Sequence, residues 1–168
     1  MSQKFEIGKA LHLKEGTDLT IFATGHLVWE SLEAAKTLAE AGVSAEVINM
    51  HTIKPFDENA VLDSVAKTRC VVTAEEHMLN GGLGDSVAQL LSRNNPLPQE
   101  YIGVNDKFGE SGTPDELMKK YGLESENIVE AAKSLIKNNK ERVDTSIFTK
   151  FCNVISNYRS CKFKSFFF

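Results

Sequence analysis

This 168-residue sequence predicts an α/β fold: a mostly parallel sheet with helices on both faces. Three observations carry the prediction. Short runs that are nearly all apolar, led by Leu19–Ala23 (LTIFA), suit strands buried on both sides. These runs alternate with stretches whose apolar residues return at helical spacing. The stretch Val71–Asp85 (VVTAEEHMLNGGLGD) passes from an apolar run through polar residues and glycines toward a helix start. That is how α/β proteins build a site at the carboxyl edge of a sheet.

In chain order, Lys9–Lys14 alternates loosely before the turn cluster Glu15-Gly16-Thr17-Asp18 and is predicted as an edge strand. Leu19–Ala23 is the first buried strand. Thr24-Gly25-His26 leads into a helix over Leu27–Ala41, with Val28, Leu32, Ala35 and Ala39 on one apolar face and Gly42 as its stop. Ala45–Met50 is the next strand. Pro55 keeps the following loop from continuing as a helix. Asp57 is a predicted N-cap for a helix through Lys67 that buries Val61, Leu62 and Val65. Cys70–Ala74 is the third buried strand, and a polar loop opens at Glu75. The helix starting near Asp85 turns Val87, Leu90 and Leu91 inward and stops at Asn94-Asn95-Pro96. Tyr101–Val104 is the last strand. Thr113-Pro114-Asp115-Glu116 combines a capping residue, a proline suited to the first helical position and a reciprocal glutamate. A final helix over Glu126–Lys137 carries Ile128, Ala132 and Leu135 on one face.

Composition narrows the function classes. The formal net charge of −4 argues against a general nucleic-acid surface. No stretch reaches membrane-spanning length, and the N-terminus lacks a signal-peptide apolar run, so a cytoplasmic setting is expected. The charge is uneven. Residues 141–168 carry a balance of +3 against −7 for the rest, with six of the ten Phe and two of the three Cys. Cys152 and Cys161 there show no metal-ligand pattern. Such a basic aromatic end can touch an anionic membrane. The preferred reading is a non-native or disordered tail, leaving residues 1–140 as the domain and no membrane partner.

Three histidines, His26, His51 and His77, fall just past carboxyl ends of predicted strands, and Glu75, Glu76 and Asp106 join them, with Lys54 nearby. In a parallel sheet these ends share one rim, where histidine suits proton transfer or hydrogen bonding near neutral pH. Strand-end loops are polar in any such fold, however, and this plainer account is preferred. Glu75, Glu76 and His77 are sequential, so in an extended chain they cannot all face one ion, and no metal site is expected. Gly81-Gly82-Leu83-Gly84 invites a dinucleotide reading that fails in detail. Val87 stands where a third glycine belongs, and Asp85 at the helix start repels phosphate. Nucleophile-elbow and P-loop motifs are absent.

Several ordered pieces resemble a known family. They are Ala23-Thr24-Gly25-His26; Val47-Ile48-Asn49-Met50 with Thr52-Ile53-Lys54-Pro55-Phe56-Asp57; Thr73-Ala74-Glu75-Glu76-His77 with Gly81-Gly82-Leu83-Gly84; and Phe108-Gly109-Glu110-Ser111-Gly112 with Lys120-Tyr121-Gly122-Leu123. From about Lys9 to Ile136 the chain resembles the C-terminal domain of transketolase, in the wider thiamine-diphosphate family. The pieces around His51–Asp57 and Phe108–Leu123 look most like transketolases split into two subunits, where this domain ends the second.

The resemblance implies a three-layer α/β/α domain whose five-stranded mixed, mostly parallel sheet has its first strand antiparallel. It implies ketol transfer from a ketose phosphate to an aldose phosphate, as in the pentose phosphate pathway, with thiamine diphosphate and Mg²⁺ in the complete enzyme. Those groups are held by other domains, and the chain has no Gly-Asp-Gly. No cofactor, metal or catalytic residue is therefore assigned to this chain alone. The implied partners are the remaining transketolase domains or subunit, in a homodimer. His26, His51, Glu75, Glu76, His77, Gly81, Gly82 and Asp85 become candidate interface or active-site rim residues. The alternatives are deoxyxylulose phosphate synthase, a pyruvate dehydrogenase-type beta subunit, or a free-standing binding module of the same fold.

Overall fold

A computed structural model describes residues 4–139 of the chain. The predicted tail lies outside the described residues, and the fold below is that of the unit ending at Ile136. The strands are β1 (Leu11–Lys14), β2 (Leu19–Ala23), β3 (Ala45–Asn49), β4 (Val71–Met78) and β5 (Gln99–Val104). The helices are α1 (Leu27–Glu40), α2 (Glu58–Thr68), α3 (Leu83–Asn94), α4 (Pro114–Tyr121) and α5 (125–139).

The five strands form one sheet in the order β1-β3-β2-β4-β5. β1 runs antiparallel to β3, and the other pairings are parallel. The odd edge strand implied by the family resemblance is therefore present.

All five residues of β2 are buried, as its apolar run predicts. Its side chains alternate between two cores, because successive residues of a strand face opposite sides. Leu19, Ile21 and Ala23 pack with Val47, Val72 and Ala74 under α1 and α5, including Leu38, Ile128 and Ala132. Phe22, Ile48 and Val71 pack under α2 and α3 against Val61, Val65, Val87 and Leu90. Helices on each face of one sheet make the three-layer α/β/α architecture.

Local signals set several boundaries. Asp57 caps α2 by accepting from the Ala60 N–H (3.2 Å), and its second carboxylate oxygen accepts from the Ala10 N–H (2.9 Å). One side chain thus starts a helix and ties down the approach to β1. At α4, the Glu116 carboxylate accepts from the Thr113 N–H (3.0 Å) and the Thr113 hydroxyl (2.8 Å), with Pro114 in the first turn. These bonds hold the Glu116 carboxyl below its usual range.

Three expectations shift. The buried stripe of α1 is Leu27, Ser31, Ala34, Ala35 and Leu38, whereas Val28 and Leu32 are only partly covered and Ala39 is exposed. Two registers of apolar residues compete on this helix, and docking on the sheet selects one. β4 does not stop at Ala74 but continues to Met78, with a register irregularity against β5 after Ala74. Consequently Glu75, Glu76 and His77 lie on a strand rather than in a loop. α3 begins at Leu83, two residues before Asp85.

At the opposite, amino edge of the sheet, Gly16 lies against the backbone of β3. A Cβ there would sit 2.1 Å from the Glu46 nitrogen and 2.2 Å from the Ala45 carbonyl carbon. Gly16→Ala should therefore force the β1–β2 turn off β3 and lower stability by about 1–3 kcal/mol, as overpacking does. Urea unfolding measures this; an unchanged midpoint would show that the turn yields freely.

Candidate functional site

The carboxyl ends of β2, β3 and β4 form a rim with two adjoining hollows. They share Thr24 and Gly25, the residues that follow β2. The first, about 630 Å³, lies between β2, β3 and the start of α1; His26, Trp29, Asn49 and His51 line it. The second, about 350 Å³, lies between the ends of β2 and β4 and is lined by Ile53, Glu75, Glu76, His77, Gly81 and Gly82. Seven of the eight rim candidates thus fall into two neighbouring groups. Asp85 lines neither; its carboxylate accepts from the Gly81 N–H (2.6 Å) and fastens the turn.

Glu75 is the best-anchored of these side chains. It is 1% exposed, and its carboxylate oxygens accept from the Leu83 N–H (2.7 Å) and the Gly84 N–H (2.8 Å). Those donors belong to the first turn of α3, where helix N–H groups lack intrahelical partners and partial positive charge collects. A helix start of this kind is a ready anion site. Here the chain fills it with its own carboxylate.

The glycine turn makes that approach possible. Gly81 has φ 83°, a left-handed conformation that glycine adopts freely. Gly82 has an ordinary φ of −94°, so its requirement is space. A Cβ on Gly82 would lie 2.0 Å from Glu75 Oε2.

These residues do not fit thiamine diphosphate. A diphosphate would need the α3 N–H groups that Glu75 occupies, and the chain supplies no Gly-Asp-Gly for a metal-bound phosphate.

The histidines are differently placed. His26 ends up beside Glu30, with Nε2 3.8 Å from its carboxylate; the other Glu30 oxygen accepts from the Ser125 N–H (2.9 Å), joining α1 to α5. His77 is exposed and donates from Nδ1 to the Met78 carbonyl (2.9 Å). The His51 ring meets the Phe5 ring edge-on at 5.0 Å. His51 Nε2 and, in the same hollow, Asn49 Oδ1 are buried without a hydrogen-bond partner.

Trp29 is absent from the sequence-predicted rim, and Asn49 enters the sequence reading only as part of the family piece Val47-Ile48-Asn49-Met50. Trp29 offers a signal in retrospect: the chain's one tryptophan stands in the first turn of a helix yet off its buried stripe.

A second polar cluster lies at the amino edge. Glu46 is fully buried and accepts from Ser64 and from Lys67 (2.8 Å), with the Thr20 hydroxyl 3.3 Å away. Burial alone would raise the Glu46 carboxyl, but the hydrogen bonds of Lys67 and Ser64 and the charges of Lys67 and His12 hold it below its usual range. Among the described residues, His12, Glu15 and Glu46 place three ligand atoms within 4.8 Å of one another. Lys67 Nζ is 2.8 Å from Glu46 and 3.4 Å from Glu15, so the chain's own ammonium stands where a metal would.

Comparison with known proteins places this geometry in a family. Residues 8–128 match the family model described as "Transketolase, C-terminal domain". The chain belongs to the transketolase C-terminal domain family. Its relatives include a 6-deoxy-6-sulfo-D-fructose transketolase subunit of Clostridium sp. (strain MSTE9), 52% identical over 131 residues. That match covers 78% of this chain and 41% of the relative. A putative transketolase C-terminal section of Methanocaldococcus jannaschii is 49% identical over 125 residues, covering 74% of this chain and 39% of that protein. A solved structure titled as a split-gene transketolase, in an inactive beta4 tetramer, superposes with a TM-score of 0.77 at 45% identity, over 80% of this chain and 44% of that one. A 1-deoxy-D-xylulose-5-phosphate synthase 1 of Geobacter sulfurreducens also matches, at 36% identity, over 80% of this chain and 21% of its own length. This transketolase C-terminal domain therefore spans about two-fifths of the first relatives it matches.

Proposed function

We propose that this chain is the C-terminal portion of a split transketolase, inactive alone. It would dock onto a companion portion that binds thiamine diphosphate and Mg²⁺. The observation that carries the reading is the self-filled helix terminus of α3: Glu75 takes the anion-binding N–H groups, leaving the domain's rim for contact rather than chemistry. The higher identity to split transketolases than to the synthase, 52% and 49% against 36%, favours ketol transfer over the synthase reaction. In this reading the assembled enzyme is a homodimer of complete units in the cytoplasm, where sugar phosphates are held. It moves a two-carbon ketol unit from an anionic ketose to an aldose phosphate. One relative is named for a sulfo-sugar, so the ketose end group in this reading is a phosphate or a sulfonate.

The test is reconstitution. The chain alone should show no ketol transfer and no thiamine diphosphate uptake by calorimetry. Mixed with a companion portion carrying the cofactor motifs, it should restore transfer to phosphate or sulfonate ketoses. Cofactor binding by the chain alone, or no association with the companion, would overturn this reading.

A further inference from the structure

The hollow beside α1 carries more than its position. Buried polar atoms in folded proteins nearly always have hydrogen-bond partners, so unpaired ones point to a partner from outside. Two of the unpaired buried atoms found among the described residues, Asn49 Oδ1 and His51 Nε2, line this hollow together. At its side stands Trp29, 59% exposed. The Lys36 ammonium stands 5.8 Å over its ring, and the rest of the indole faces water; a tryptophan this exposed is a frequent anchor of protein interfaces.

The wider distribution of apolar surface agrees. Among the described residues, the exposed large apolar side chains are Phe5, Ile7, Trp29, Tyr101 and Phe108. All but Tyr101 belong to segments at the carboxyl edge of the sheet. Phe5 and Ile7 precede β1, whose Leu11 pairs with Asn49 at the carboxyl end of β3. Trp29 opens α1, and Phe108 follows β5. Phe108 is held out by a pinned loop, because the Tyr121 hydroxyl donates to the Phe108 carbonyl (3.3 Å) and accepts from the Glu110 N–H (3.1 Å).

We propose that the Trp29–Asn49–His51 hollow receives an extended polypeptide segment of the companion portion, with one backbone peptide group paired to Asn49 and His51 and an apolar side chain on the Trp29 indole. A peptide group suits the two orphan atoms with His51 protonated on Nε2: the peptide N–H donates to Asn49 Oδ1, and its carbonyl accepts from His51 Nε2–H. A phosphorylated ligand does not suit the hollow: no Lys or Arg lines it, and His26 is already beside Glu30. This inference rests on the split-transketolase reading, since the occupant is the portion the chain lacks relative to its relatives.

The probe is the part of the Clostridium subunit outside the matched stretch, added to the full chain grown with 5-fluorotryptophan. One tryptophan means one fluorine resonance. Companion binding should shift that resonance, and Trp29→Ala and Asn49→Ala should each weaken binding at least tenfold, the size of an interface hot spot. Tyr101→Ala, which does not line this hollow, should bind as the parent does. Urea midpoints separate lost binding from lost folding. If the companion binds with the resonance unmoved and with Trp29→Ala at full affinity, docking lies elsewhere and the inference fails while the functional reading stands. If the parent chain does not bind a companion piece that circular dichroism shows to be folded, the functional reading fails. A shift that follows the chain's own concentration before any companion is added would make a second copy the occupant, and would overturn the proposal.

Discussion

Glu75→Ala is expected to lower the unfolding free energy by about 3–6 kcal/mol, since hydrogen bonds to a charged acceptor are worth roughly 1.5–3 kcal/mol each and two are lost. The Leu83 and Gly84 N–H groups would be left buried at the start of α3 with nothing to accept from them. Glu75→Gln should cost less, because one amide oxygen remains as an acceptor. Urea unfolding of both variants, at unchanged m-value, measures the difference. A loss below about 1 kcal/mol for Glu75→Ala would mean that water enters the turn and replaces the carboxylate.

Gly82 provides an internal check. Its absent Cβ leaves the space that the Glu75 carboxylate uses. Gly82→Ala should destabilise the parent chain, yet cost much less once Glu75 is alanine and the oxygen is gone. A double-mutant cycle reads this coupling. Additive costs would mean that Gly82 serves the turn's conformation and not its close approach.

Glu46→Ala should be the second large loss, about 3 kcal/mol, the scale for removing one member of a buried hydrogen-bonded charge pair. The hydroxyls of Thr20 and Ser64 and the Lys67 ammonium all converge on this carboxylate, and Thr20 also bonds Thr68 (2.7 Å). The side chain therefore knits the first residues of β2 and β3 to the last turn of α2. Lys67 is partly exposed and can turn to solvent, whereas the hydroxyls cannot.

The same group sets a pH dependence. Its folded-state carboxyl lies below the usual 4.5, so the unfolded chain takes up the proton first as pH falls. Its stabilisation is present above 4.5 and is lost as pH drops through the lower folded value. Lys67 acts in the opposite sense: raised above 10.5 chiefly by its hydrogen bond to Glu46, it contributes below 10.5 and is lost as pH rises through the folded value. Stability measured from pH 6 to pH 3 should fall less steeply in Glu46→Gln than in the parent. Parallel curves would place the acid sensitivity in other carboxylates.

The parts legible from the sequence are those whose cause is local. The apolar run of β2, the Asp57 cap and the Thr113-Pro114-Glu116 start of α4 each depend on residues within a turn or two. The candidate rim was legible in part for the same reason: His26 and His51 do fall just past β2 and β3, whereas His77, expected in a loop, lies on β4. Glu75 could be named but not explained. Its role required β4 to extend past Ala74 and the start of α3 to return over it, neither of which the local pattern shows. Asn49 was hidden because a strand-end amide is unremarkable until its oxygen is found buried and alone.

By itself, then, the sequence determined the alternation of elements, most of their caps, and a family resemblance strong enough to imply the mixed sheet. Those follow from short-range sterics, periodicity and ordered motifs. Only the tertiary structure decided which face of α1 is buried, and that Glu75 fills its own helix terminus. It alone decided that His51 and Asn49 share an unsatisfied hollow beside Trp29. The reason is physical: burial and hydrogen-bond satisfaction depend on what the rest of the chain brings alongside. The carboxyl edge, already unfit for phosphate by the Asp85 charge in the sequence, is closed to it by a carboxylate eight residues upstream of the helix that receives it.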